Sequence, residues 1–145
     1  MTVLAAAACS SSATSVTLPP PHPAGQDAQR CDRLGAALPG TLAGLSARQT
    51  EPRSSLTHAW GSPPVTLVCG VPAPAGYRPA STSTLSVDDV QWYEQVGADA
   101  VTWTAIRPDP LSRHRVYVAL TVPKHYSQDA AFLTALARPL KSALS

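Results

Sequence analysis

Lysine is scarce in this chain, long apolar runs are missing, and only three cysteines occur among 145 residues. The scarcity of lysine, beside abundant alanine and proline, reads as the coding bias of a GC-rich genome. It says nothing about function. Arg30, Arg33, Arg48, Arg53, Arg78, Arg107, Arg113 and Arg115 are scattered along the chain rather than gathered on one helix face. With a formal net charge of +2, they leave no electrostatic footprint for nucleic acid. No stretch approaches the roughly 18 to 20 apolar residues that a membrane-spanning helix needs.

Chemical motifs are equally sparse. His22, His58, His114 and His125 stand alone, with no HxxxH and no CxxC, so no metal site is expected. No G-x-S-x-G elbow and no glycine-rich phosphate loop is present, and no cofactor is implied. His58 is the one histidine placed for partial burial. A nucleophilic pair of His58 with Cys69 is conceivable, but a disulfide at Cys69 would consume the thiolate. Asp88-Asp89 marks a turn at a strand entry.

What is present begins at the N-terminus. "LAAAACSSS", residues 4 to 12, sets Cys9 behind small apolar residues and before a serine run. That is the local shape of a lipoprotein signal, whose cut site accepts only small side chains and whose new N-terminal cysteine carries a lipid. No Lys or Arg precedes the apolar stretch, whereas a secretory signal has a basic start and a longer apolar region. Residues 1–25 are therefore expected to be a truncated lipoprotein-type signal remnant followed by a flexible Ser/Pro-rich tether. An odd cysteine in an exported chain calls for a separate role. If Cys9 is lipidated, Cys31 and Cys69 remain as a pair, and an oxidising compartment would let them bridge.

The folded unit is expected over residues 26–145, a length suited to one domain. "QDAQRCDRLGAALPG" places Ala28, Cys31, Leu34 and Leu38 near helical spacing, and Pro39-Gly40 ends the run. "PPVTLVCGV" alternates as a strand, with Val65, Leu67 and Cys69 on one face. A bridge from that helix to that strand is geometrically sensible. A short strand is expected near Ser46–Thr50. "DVQWYEQV", "AVTWTAI" and "RVYVALTV" then form an antiparallel meander, with GADA as a hairpin connection. "SQDAAFLTALARPLKSAL" closes the chain as an amphipathic helix, and Pro139 is expected to kink or shorten it. The expected fold class is α+β: an antiparallel sheet of about four to five strands, with an N-terminal and a C-terminal helix packed on one face.

Trp60, Trp92, Trp103, Tyr93 and Tyr117 pack a core by default, with Trp60 in a tight turn beside Gly61. Glu94 alternates with Trp92 and Val96, so it is a candidate for a site on an open sheet face. Trp60, Tyr93, Glu94 and Tyr117 are the candidate binding surface.

The ordered set Cys31, "LGAALPGTLAGL", "AWGSPPVTLVCGVPAP", "VQWYE" and "RHRVYVALTVP" resembles the actinobacterial secreted and membrane-attached family called domain of unknown function 3515. The resemblance runs over roughly residues 28 to 143. It implies an N-terminal membrane segment or lipoprotein signal and an extracytoplasmic domain with two cysteines, here Cys31 and Cys69. The family has no established activity, so no catalytic residue carries over. The expected protein is a lipid-anchored, extracytoplasmic envelope protein with a binding or accessory role. The alternative is a small cell-envelope hydrolase or peptide-binding module using the open sheet face. Its expected contacts are the membrane, through a lipid, and an envelope protein or ligand.

Overall fold

The computed structural model describes residues 14–106, 115–127 and 129–144. Cys9 and His114 lie outside the described residues. The elements run β1 (Val16–Thr17), α1 (Gln26–Ala37), β2 (Thr41–Leu42), β3 (Leu45–Arg48), β4 (Thr50–Glu51), β5 (Thr57–Trp60) and β6 (Val65–Val71), then β7 (Leu85–Val87), β8 (Val90–Val96), β9 (Ala100–Ile106), β10 (Tyr117–Pro123) and α2 (Asp129–Ala143).

The class is α+β, with both helices packed on the main sheet. That sheet has eight strands in the order β2-β3-β5-β6-β10-β9-β8-β7 rather than four to five. The extra strands are short: β2, β5 and β7 have two, four and three residues. So few positions cannot display a period of two. The sequence "THAW", which forms β5, reads equally well as a turn.

The long strands pair as the expected antiparallel meander, joined by β6. Val118 faces Ala105, and Ala105 faces Trp92. Leu120 sits between Leu67 and Trp103. These residues share the face under the helices and are buried. Val90 and Trp92 are covered as expected, whereas Glu94 and Val96, on the same face of β8, are exposed. The alternation is right, but the covering layer stops short of the strand's end.

α1 presents Cys31 and Leu34 to the core, and Leu38 leaves the helix in an extended conformation before Pro39. Cys31 is bonded to Cys69 of β6, with the Cα atoms 5.6 Å apart. Arg33 of α1 donates to the Ala143 carbonyl at the end of α2. Such a contact satisfies a carbonyl that has no partner inside its own helix. α2 does not stop at Pro139: it continues to Ala143 and buries Leu136, Ala137 and Leu140 around it. The apolar stripe outweighs the one lost helical hydrogen bond.

Residues 14–25 were expected to be a flexible tether. They instead lie along the domain. β1 pairs in parallel with β4, Val16 opposite Thr50. Farther along, Pro23 packs over Gly70, where a Cβ would come within 2.7 Å of its ring. Gly70 has φ +89° beside an irregularity in the β6–β10 pairing, so glycine is required there on two counts.

Candidate functional site

The four candidate surface residues do not form one site. Trp60 is buried, at 1% exposure. Its indole Nε1–H donates to the Pro39 carbonyl at 3.1 Å, which fixes the end of α1 against β5. Trp60 is therefore a core residue and is withdrawn from the binding surface. Gly61 at φ +75° makes the bend that follows it. Glu94 is exposed on the helix-bearing side of the sheet, opposite Trp103. Tyr93 and Tyr117 lie on the other side.

On that outer side a third tyrosine joins them. Tyr77, from the loop after β6, sits 5.6 Å from the Tyr93 ring and 6.4 Å from the Tyr117 ring, centroid to centroid. All three are half-buried. The loop is held down by Tyr93 Oη and Gln95 Nε2, which both donate to the Ala75 carbonyl. The result is a tilted aromatic cluster with amide and hydroxyl groups around it, a composition common at recognition surfaces. The sequence reading missed Tyr77. It stands in a Pro- and Gly-rich loop with no periodicity, and only the fold brings it onto β8 and β10.

A second cluster contains the residue types of a hydrolytic triad. Ser55, Asp32 and His58 are neighbours beside the disulfide. Their wiring is different. Ser55 Oγ donates directly to Asp32 Oδ1 at 2.6 Å, and His58 Nε2–H donates to the Ser55 backbone carbonyl at 2.9 Å. A nucleophilic serine needs its hydroxyl on the imidazole and the carboxylate on the imidazole's other nitrogen. Here the contacts tie the β4–β5 loop to α1. His58 also stacks near Trp60, 6.3 Å between ring centroids. Burial holds the His58 imidazole below its ordinary pKa, and the Ser55 hydrogen bond partly opposes that. The pairing of His58 with a Cys69 thiolate is overturned, because Cys69 is in the disulfide.

Asp129, in the first turn of α2, has a task beyond the helix start. Its Oδ2 accepts from Trp103 Nε1–H at 2.9 Å, pinning α2 to β9. Asp88 and Asp89, both with positive φ, make the two-residue turn between β7 and β8. A cavity of about 270 Å³ opens beside that turn, lined by Val90, Ala105, Ile106, Leu140 and Leu144, with Asp89 and Lys141 also on its wall. Among the described residues no group of His, Cys, Asp and Glu is arranged to hold a metal ion, and no helix is long and apolar enough to cross a membrane.

A family model described as "Protein of unknown function (DUF3515)" matches residues 1–145, and the chain belongs to that family. No curated protein and no solved structure matches it.

Proposed function

We propose that this DUF3515 chain is an extracytoplasmic envelope protein, anchored by a lipid on Cys9, with a binding or accessory role. The observation that carries the reading is the Cys31–Cys69 bridge between α1 and β6. Such a bond persists in an oxidising compartment and is rare where thiols are kept reduced. It accounts for two of three cysteines and leaves Cys9, in its small-residue setting, for the anchor. A fully processed lipoprotein carries several acyl chains, which suffices for stable attachment.

The tyrosine cluster supports the binding half. Tyr77, Tyr93 and Tyr117 offer rigid aromatic area at low entropic cost. That favours the peptide-binding form of the alternative. Its hydrolase form has less support, since the Ser55 hydroxyl is committed to Asp32 and not to His58.

The test is fractionation in the protein's own host. The chain should sediment with the membrane and be cut by external protease in intact, wall-stripped cells. Cys9→Ser should move it out of the membrane fraction. A chain that stays soluble and protease-protected until lysis would overturn the proposal.

A further inference from the structure

The structure has two distinguishable ends, and the N-terminal chain leaves from one of them. β3 leaves the end of the sheet where β5 turns into β6 and β4 continues in line after it, so β1, parallel to β4, places Thr14 toward that end. Arg48 fixes the exit point by donating to the Thr14 and Gly61 carbonyls. The same end carries Pro63, bound by Tyr126 Oη at 2.7 Å, and the β8–β9 hairpin, whose Asp99 carbonyl accepts from Lys124 N–H at 2.9 Å. The opposite end carries the Asp88-Asp89 turn, the adjoining cavity, and Lys141, which approaches Asp89 at 4.0 Å. Tyr117, paired with Val71 at the far end of β6, lies at that second end, and Tyr93 lies at mid-strand opposite Thr104, so the tyrosine cluster extends from the middle of the sheet to that end. From Asp89 to Gly97, β8 and its flanks span about 26 Å at the usual rise of a strand.

From these positions we infer that the domain sits on the bilayer with the Thr14 end facing the lipid headgroups and the tyrosine-bearing end facing away. This rests on the anchor reading above. Cys9 and Thr14 are five residues apart, and whatever their conformation they reach at most about 18 Å. An inverted domain would need the connection to span the length of β8 as well, which it cannot. The docking of residues 14–18 is what shortens the connection. Had residues 10–25 been free, sixteen residues would have let the domain take any orientation. The lipid surface is thus the occupant of the face around Thr14, Pro63 and Lys124, and the tyrosine cluster and cavity are presented to the envelope.

The only two lysines of the sequence, Lys124 and Lys141, mark the two ends. The experiment couples the Cys9 thiol to a maleimide lipid in vesicles that also hold a lipid with a short amine-reactive headgroup. Mass spectrometry then reads the lipid adducts at each lysine. Each yield is divided by that lysine's reactivity toward a soluble reagent of the same chemistry. The Lys124 to Lys141 ratio should rise several-fold on the vesicles. It should fall back when a Gly/Ser linker of about 20 residues, with a root-mean-square span near 25 Å, is inserted between Ser12 and Ala13. A ratio unchanged from solution, or one favouring Lys141, would overturn the inference. Chemical coupling separates the two claims. A native protein without lipid would remove the anchor reading, while polarity of the coupled protein would still establish the geometry.

Discussion

Gly35 and His58 meet at a distance that leaves no room for a methyl group. A Cβ at Gly35 would lie 3.2 Å from His58 Nε2 and 2.9 Å from the Ser55 carbonyl oxygen. This glycine in the last turn of α1 thus sets how closely the helix approaches the β4–β5 loop, and so where Asp32 and Ser55 can join. Alanine is the better helix former by about 1 kcal/mol, yet overpacking against backbone costs about 1–3 kcal/mol. Gly35→Ala is expected to lower stability on balance, read as a reduced urea midpoint under non-reducing conditions.

His58 gives the fold a pH dependence of known sign. Its folded pKa lies below the unfolded value of 6.5. The unfolded chain therefore binds the proton more readily, and stability rises with pH across the interval. The contribution is fully present above the unfolded value and is lost as pH falls through the folded one. The melting temperature should decline as buffers are taken from neutral to mildly acid. His58→Gln, which cannot titrate, should flatten that decline, at the cost of the contact with Trp60.

The disulfide closes a loop between residues 38 apart. The chain-entropy estimate for that separation is about 4 kcal/mol, a large share of a small domain's stability. The double variant Cys31→Ala, Cys69→Ala should unfold at much lower denaturant. Reduction of the parent protein should produce the same shift.

Gly70 tests whether residues 14–23 belong to the fold. Gly70→Ala adds a Cβ against Pro23 at a φ that alanine rarely adopts. The expected result is faster amide exchange at Val16 and Leu18, whose N–H groups bond to Gln49 and Glu51. The β6–β10 pairing should stay protected at Leu67 and Leu120, inside the core.

The long periodic segments were legible in the sequence. α1, β6, the β8–β9–β10 meander and α2 follow from spacing alone, and the faces they bury make a Cys31–Cys69 bridge geometrically sensible without requiring it. What the sequence hid depends on partners distant along the chain. β2, β5 and β7 are too short to show a period, and they exist because a neighbouring strand offers hydrogen bonds. β1 looked like tether because Ser, Thr and Pro bury little, yet two residues suffice once β4 supplies the ladder. Trp60 could have been read as surface or core until Pro39 was seen to accept its indole N–H. Tyr77 carried no local signal.

The most direct test of the account is the intact mass of the protein isolated from its own envelope, alkylated without and then with prior reduction. The expected result is a chain beginning at Cys9, heavier by a diacyl or triacyl lipid, with two thiols that react only after reduction. An unmodified chain beginning at Met1, with three freely alkylated thiols, would contradict it.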